Sequence, residues 1–440
     1  MLELAKANQF NNKNILIYGF GKSGRACFKY LRKNNKIEIY DDKKSSIPKK
    51  LKKNSINKTK LTSVNFDRIV VSPGIDINKC TLKKYLSKNK SKIISEMDIF
   101  YLNNIKNKKI TITGTNGKST TSKLLHDVLK KHGKDVRLVG NIGNPLLSEK
   151  NIKPLTIFVI EASSYQIEYS KYFKTDFAII LNISPNHLER HRTFKNYIKS
   201  KFRLIKSQKK NSFAFIEKNN NFLKEELKKN KINSKIIKVN LKISNKIKKK
   251  IKNPYFENKN NLNNLKFVLE ISKKLKLKNQ KVFKVVNSFK QLNFRQQILY
   301  KNKKLLIIND SKSTSFSSSI NLLESYKNIY WLVGGRFKKG DNFVLNKKYY
   351  KNINAYIFGK RKIFFVKNLI NKIKYKTFDN IKRALVEIII DAKKNNLSPV
   401  NIIFSPSAAS FDQFSNFEER GKNFNYLVRK LKIISKINGR

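Results

Sequence analysis

Lys109-Ile-Thr-Ile-Thr-Gly-Thr-Asn-Gly-Lys-Ser-Thr-Thr121 is the stretch from which the rest of the chain can be read. Ile110 and Ile112 belong to a β-rich run. Gly114 and Gly117 make a turn, Lys118 and Ser119 follow, and Leu124, Leu125, Val128 and Leu129 recur at helical spacing. Strand, glycine turn, Lys-Ser and helix are the parts of a phosphate cradle. Glycines let backbone N–H groups close on phosphate oxygens, and a helix N-terminus adds partial positive charge. Lys118 is placed to reach β- and γ-phosphates, and Ser119 to offer a hydroxyl to Mg²⁺. The spacing is Gly114-x-x-Gly117-Lys-Ser, with two residues between the glycines where Walker A has four. The competing reading, an ordinary βα turn rich in Gly and Thr, does not account for all four parts coinciding.

Upstream, Asn14-Ile-Leu-Ile-Tyr-Gly19-Phe-Gly21-Lys-Ser-Gly24 is a strand followed by GxGxxG. A helical run (Ala26, Phe28, Leu31) and a second strand ending in Asp41 come next. This is a dinucleotide-type βαβ start, with Asp41 placed to bind a hydroxyl of a ribose or base. Arg68-Ile-Val-Val-Ser72-Pro-Gly74 reads as a later strand ending in a tight turn, either a plain turn or part of the same sheet edge. Downstream, Gly140-Asn-Ile-Gly-Asn-Pro145 is turn-rich. Thr156–Glu161 is an apolar strand that delivers a carboxylate and then Ser163, Ser164 and Gln166. Strand C-termini face the ligand crevice of an open α/β sheet, where Glu161 can hold a nucleotide-bound Mg²⁺. Asp176–Ser184 reads as another buried strand, and His187 falls just past it. The helix around Tyr197-Ile-Lys-Ser-Lys201 carries several lysines, and lysine chemistry alone does not single out Lys201. Beyond 295, strands alternate with helices at 305–308, 329–335, 355–359 and 400–404, the pattern of another open α/β sheet.

GTNGKST, the EASSYQIE run, the NISPNHLERH run and the Lys201 helix, in this order, resemble the Mur ligases, ATP-dependent amide-forming enzymes of peptidoglycan synthesis. The GFGKSG start, the SPG turn, Asp310-Ser-Lys312-Ser-Thr314 and SPSAASFDQFSNFEERG are most similar to the branch of the family that adds D-glutamate to UDP-N-acetylmuramoyl-L-alanine. The resemblance spans nearly the whole chain and is weakest at about 209–290. It implies three α/β domains: a Rossmann-like domain over 1–95 that takes the UDP substrate, a P-loop ATPase-type domain over 96–294, and a Rossmann-like domain over 295–440 that takes the amino acid.

Site roles follow from the same resemblance. ATP would lie on Gly114, Thr115, Asn116, Gly117, Lys118, Ser119 and Thr120, with Asn261, Asn264, Arg295 and Asp310. Two Mg²⁺ ions are implied, one held by Ser119 and Glu161, the other by His187 and a Lys201 carbamylated by CO₂. Carbamylation needs a neutral amine, so burial or cationic neighbours should depress the Lys201 pKa. Lys118, His187, Lys201 and Lys312 would be catalytic. Lys22, Ser23, Asp41, Ser72, Gly74, Asn141, Ser163 and Gln166 would meet the UDP-sugar, and Thr314, Lys338, Ser410, Phe411 and Phe417 would surround D-glutamate. The chain departs from the family pattern in three places. Asn258 and Asn260 replace a Gly and a His, Phe294-Arg295-Gln-Gln stands for His-Arg-x-Glu, and Phe411 replaces a Leu.

Composition bounds the alternatives. Of 440 residues, 97 are Lys or Arg against 29 Asp or Glu, a formal net charge of +68. Such an excess usually points to nucleic acid. Here the lysines are spread through the whole chain among Asn, Ile, Phe and Tyr, which reads as biased codon usage rather than a binding stripe. The charge would still draw anionic small substrates. Cys27 and Cys80 make no disulfide framework, and the N-terminus lacks the apolar core of a signal peptide. The expectation is a cytoplasmic monomer with no membrane or nucleic-acid partner. A folylpolyglutamate-synthase-like ligase is the nearest rival and a nicotinamide dehydrogenase the next. The GFGKSG domain argues against the first, and the second phosphate loop against the second.

Overall fold

Alternation of apolar side chains along short runs, punctuated by helical periods, produces three sheets among the residues described by the computed structural model, 10–337, 341–395 and 398–438. In the first, β1 (Asn14–Tyr18), β2 (Lys36–Tyr40), β3 (Arg68–Val71) and β4 (Ile93–Ile94) run parallel in the order β2-β1-β3-β4. Leu16, Tyr18, Ile69 and Val71 enter one buried cluster, as a side-chain period of two requires. The helix Lys22–Leu31 crosses from β1 to β2 and buries Gly24, Ala26, Cys27, Phe28 and Leu31.

The second sheet holds β5 (Lys108–Thr113), β6 (Val136–Gly140), β7 (Ile157–Glu161), β8 (Phe177–Ile180), β9 (Phe213–Glu217) and β10 (Lys235–Val239). All pairings are parallel and the order is β10-β9-β8-β5-β7-β6. The chain leaves β5 towards one edge and later returns to its other side at β8. The end of β5 is therefore a topological switch point, where open α/β sheets bind ligands. The phosphate loop lies there.

The third sheet contains β11 (Gln297–Lys301), β12 (Leu305–Asn309), β13 (Ile329–Gly334), β14 (Ile353–Phe358), β15 (Lys374–Phe378) and β16 (Val400–Phe404), in the order β11-β12-β16-β13-β14-β15. Only β11 pairs antiparallel. The four inner strands β12, β13, β14 and β16 are buried on both faces. Leu305, Ile307, Tyr330 and Leu332 pack with the helices Ile381–Asn395 and Phe417–Lys430, while Leu306, Ile308, Trp331 and Val333 pack with Phe316–Leu323 and Lys362–Leu369. Because β16 inserts between β12 and β13, the loops leaving these three strands are neighbours.

The chain forms two compact units. The first comprises 1–183, 195–244 and 266–285 and carries the first two sheets. The second comprises 184–194, 245–265 and 286–440 and carries the third. Within the first unit a buried carboxylate joins distant segments. Asp98 Oδ1 accepts from the N–H groups of Lys171, Tyr172 and Phe173 at 2.7–3.1 Å, and its Oδ2 accepts from the backbone N–H and the hydroxyl of Ser95. Tyr169 adds a second tie, donating to Ile75 O at 2.6 Å and accepting from Ile77 N. The Lys-rich stretch 240–252 includes the short helix Asn245–Lys248 and is mostly exposed. Among the described residues no helix is long and apolar enough to cross a membrane.

The glycines of the first turn differ in what they permit. A Cβ at Gly24 would stand 2.0 Å from Gly19 O, whereas one at Gly21 would meet nothing within 4 Å. Gly24→Ala is therefore expected to cost at least about 1–3 kcal/mol of stability, and Gly21→Ala far less. Thermal unfolding of the two variants checks this, and equal midpoints would contradict it.

Candidate active site

The expected residues fall into two sets, one on each compact unit. In the first, β5 ends at Thr113 and the helix Lys118–Lys131 begins five residues later. Gly117 caps that helix at φ +82°, a left-handed conformation that side-chain-bearing residues adopt at a cost. Asn182, just past β8, clamps the loop from the neighbouring strand. Its backbone oxygen accepts from Thr115 N at 3.0 Å, its Oδ1 accepts from Asn116 N at 2.9 Å, and its Nδ2 donates to Asn116 O. Nothing in the sequence reading pointed to Asn182. An amide residue directly beyond a buried strand was the available signal.

Lys118 folds over this loop, its Nζ donating to Gly114 O and Thr115 O at 2.9 Å. Lys201 reaches the same carbonyl from the helix Phe194–Lys206. Its fully buried Nζ donates to Gly114 O at 2.8 Å and Thr113 Oγ1 at 3.2 Å, and stands 4.8 Å from the centre of the Tyr197 ring. Burial first, and then the charge of Lys118, pull this amine well below the ordinary lysine range, with Glu161 opposing. The depressed pKa expected for Lys201 is therefore present, and so is its cause. Tyr197, another residue the sequence did not single out, is buried with its hydroxyl 3.1 Å from Thr115 Oγ1.

Strand register sets Glu161 opposite Ile112, beside the loop. It is buried. Asn141 Nδ2 donates to its Oε1 at 2.8 Å, and its Oε2 has no hydrogen-bond partner. An orphaned carboxylate oxygen is costly unless something cationic meets it. Together with Ser119 at the start of the helix, it fits a magnesium ion that brings its own phosphate ligands. Among the described residues no three His, Cys, Asp or Glu stand close enough to hold a metal by themselves, and a nucleotide-borne Mg²⁺ does not require that.

The residues expected to meet the UDP-sugar are mostly engaged in local structure. Ser23 hydrogen-bonds the buried carboxylate of Glu96, whose pKa burial raises. Asp41 accepts from Phe20 N at 2.6 Å and Lys43 N at 2.8 Å, and so shapes the GFGKSG turn. Ser72 Oγ donates to Gly19 O at 2.6 Å. Ser163 and Gln166 form a capping box at the start of the helix Ser164–Tyr169. Lys22 is exposed at the first helix turn, and Gly74 stands in open space.

In the second unit, His187 sits at φ +57° ahead of the short helix Leu188–His191, with Nδ1 3.3 Å from Glu189 Oε1. Asn261 and Asn264 are buried near the start of the helix Lys259–Lys274. Asn258, where the family has a glycine, turns out to cap that helix, its Oδ1 accepting from Asn260 N and Asn261 N. The loop after β12 carries Asp310, Lys312 and Thr314. Asp310 accepts from Ser405 Oγ at 2.9 Å and Gln296 N at 3.0 Å. Burial pushes its carboxyl up to about 7, against those hydrogen bonds and the charges of Arg295 and Arg420. Lys312 Nζ lies 3.9 Å, and Arg295 Cζ 5.8 Å, from the centre of the Phe417 ring. Beyond β16, Ser410 is buried and Phe411 is 66% exposed. Lys338 lies outside the described residues. The structure thus gathers Asp310, Arg295, Lys312 and Phe417 in one region of this unit.

The chain matches known families over most of its length. A Mur ligase middle-domain model matches residues 112–289, and a MurD-like N-terminal domain model of the same family matches 13–95. The chain is 31% identical over 448 residues to the UDP-N-acetylmuramoylalanine--D-glutamate ligase of Rickettsia felis, covering 96% of this chain and 98% of that protein. It is 33% identical over 431 residues to the enzyme of the same name from Francisella tularensis subsp. novicida, with coverage of 96% and 98%. Among solved structures it resembles MurF ligase from Thermotoga maritima in complex with ADP (TM-score 0.57, 15% identity, 97% of each chain). It also resembles the UDP-N-acetylmuramate-alanine ligase MurC of that organism (TM-score 0.53, 14% identity, 96% of this chain and all of the other). At these identities the two structures speak for the fold alone.

Asp310 gives a stability signature. The folded protein holds this proton more tightly than the unfolded chain. Wild type should therefore lose stability relative to Asp310→Asn as pH rises from about 4 to about 7. The slope is at most about 1.4 kcal/mol per pH unit, and no further change is expected above that window. Thermal unfolding of both proteins across the range measures it, and a pH-independent difference would contradict the assignment.

Proposed function

The chain belongs to the Mur ligase family, and from that premise we propose that it joins D-glutamate to UDP-N-acetylmuramoyl-L-alanine at the expense of ATP, a step of peptidoglycan precursor synthesis. It is an ATP-dependent amide-forming ligase. The observation that carries the reading is the phosphate loop of β5 flanked by Lys118, Lys201 and the half-satisfied carboxylate of Glu161. Residues 1–95 would take the UDP substrate, 96–294 ATP, and 295–440 the amino acid.

The chemistry must bring a carboxylate to a polyphosphate, and both are anionic. In the proposed sequence, an oxygen of the alanine carboxylate attacks the γ-phosphorus. The bond to the bridging oxygen breaks, and ADP departs with the electron pair. The amine of D-glutamate then attacks the acyl carbon. The resulting tetrahedral centre loses phosphate and a proton to leave the amide. The loop N–H groups and Lys118 hold the phosphates and offset the charge of transfer. Arg295 and Lys312 are the cations we assign to the γ-phosphate and the incoming glutamate, with Thr314, Ser410, Phe411 and Phe417 beside the amino acid. Magnesium held by Ser119 and Glu161 would supply further charge neutralisation at the phosphates.

Lys201 is suited to carbamylation. Its neutral nitrogen attacks CO₂, a proton leaves, and an anionic oxygen pair able to ligate a second Mg²⁺ replaces an ammonium. Buried beside Lys118, that anion would meet a cation where two amines now stand.

Phosphate release with ATP, Mg²⁺ and UDP-N-acetylmuramoyl-L-alanine should require D-glutamate. L-Glutamate, meso-diaminopimelate and L-lysine should not replace it, and turnover with any of them in its place would overturn the reading. Lys118→Ala should lose at least about 10²-fold in kcat. Lys201→Ala should lose activity that a short carboxylate in the buffer partly restores. A fully active, unaided Lys201→Ala would refute the carbamate.

A further inference from the structure

The groups assigned to glutamate and phosphate in the second unit stand on loops that follow different strands. Asp310, Lys312 and Thr314 follow β12, and Ser410 and Phe411 follow β16. Two buried polar residues, neither used by the mechanism, tie these loops together.

Arg420 lies on the helix Phe417–Lys430 and is completely buried. Its Nε donates to Ser311 Oγ at 3.1 Å, and its Nη2 to Ser311 O at 2.7 Å and Ala408 O at 2.9 Å. A Cβ at Gly335, beyond β13, would stand 3.1 Å from Nη1. A single guanidinium therefore braces the β12 and β16 loops, while its Nη1, beside Gly335, is buried without a hydrogen-bond partner. Ser319 makes the second tie, also fully buried. Its Oγ lies 2.7 Å from Ser313 Oγ in the β12 loop, and 2.6 Å from both Ser405 Oγ and Ser407 Oγ in the β16 loop. Ser405 Oγ in turn donates to Asp310.

A buried guanidinium is costly to desolvate. Burial lowers its pKa to about 10, with Asp412 and Asp310 opposing. An apolar side chain would fill this volume without that cost. What the guanidinium adds is a rigid, planar set of donors that fixes where two carbonyls stand relative to each other.

We propose that Arg420 and Ser319 are positioning residues that hold the β12 and β16 loops in the single register at which their glutamate-directed groups act together. This rests on the reading of the chain as a D-glutamate-adding ligase. Arg420→Lys keeps the charge but cannot span three acceptors in a plane, and Ser319→Ala removes one hydroxyl.

Steady-state kinetics of the full-length enzyme decide it. Arg420→Lys should raise the KM for D-glutamate about tenfold or more, and Ser319→Ala severalfold, while the KM for the UDP substrate stays within about twofold. A role confined to stability would lower the thermal midpoint and the active fraction and leave KM alone. A wild-type KM for D-glutamate in either folded variant overturns the assignment of that residue. Should Arg420→Lys fail to fold, the same KM comparison on Arg420→Gln decides for Arg420. If wild type turns over without a need for D-glutamate, the underlying reading falls and takes this proposal with it. Wild-type dependence on D-glutamate with unaltered variants defeats this proposal alone.

Discussion

Two lysine amines share the carbonyl oxygen of Gly114: Lys118 at 2.9 Å and Lys201 at 2.8 Å. Two ammonium groups this close repel, and one of them is fully buried. The arrangement is relieved when the buried amine gives up its proton, which is the direction in which burial and Lys118 drive Lys201. The site therefore sets a lysine of the loop in front of a buried one whose amine is driven towards its neutral, nucleophilic form. That division of roles follows from solvation and Coulomb repulsion, without any ligand.

The sheets supply the frame for this. Parallel strands with both faces buried leave their C-terminal ends as the places where polar groups can collect. In the second sheet β5, flanked by β7 and β8, brings the phosphate loop, Glu161 and Asn182 to one edge. In the third, the insertion of β16 between β12 and β13 does the same for Asp310, Lys312 and Ser410. Several of the expected substrate-directed side chains also hold backbone turns. Ser163 and Gln166 cap their own helix, while Asp41 and Ser72 hold Phe20 N and Gly19 O of the turn after β1. Such residues fix the shape of these turns with no ligand present.

Local signals made much of this legible. The runs at 14–18, 68–71, 157–161 and 305–309 are apolar enough to read as strands, and the Lys118 helix announces itself by its glycine turn and its periodicity. β10 and β15 were not legible, because Lys235–Val239 and Lys374–Phe378 are lysine-bearing edge strands whose composition resembles the surrounding loops. Lys201 was indistinguishable from its neighbours except by resemblance, since its burial is a property of packing and not of its own spacing. Asn182, Tyr197 and Arg420 escaped for the same reason. Their side chains are held chiefly by segments distant in the chain, and beyond the position of Asn182 at a strand end little in the local sequence marks them. The excess of 68 positive charges also gave no positional information, being spread over the entire chain.

The account turns on the nitrogen of Lys201 being neutral and open to CO₂ in the folded protein. Carbon-13 NMR of the full-length protein equilibrated with ¹³C-labelled bicarbonate measures this directly. The account predicts a carbamate resonance at neutral pH that is absent from Lys201→Ala and weaker in Lys118→Ala, where the nearby charge no longer favours the neutral amine. A spectrum without that resonance, or one that keeps it when Lys201 is removed, would contradict the account.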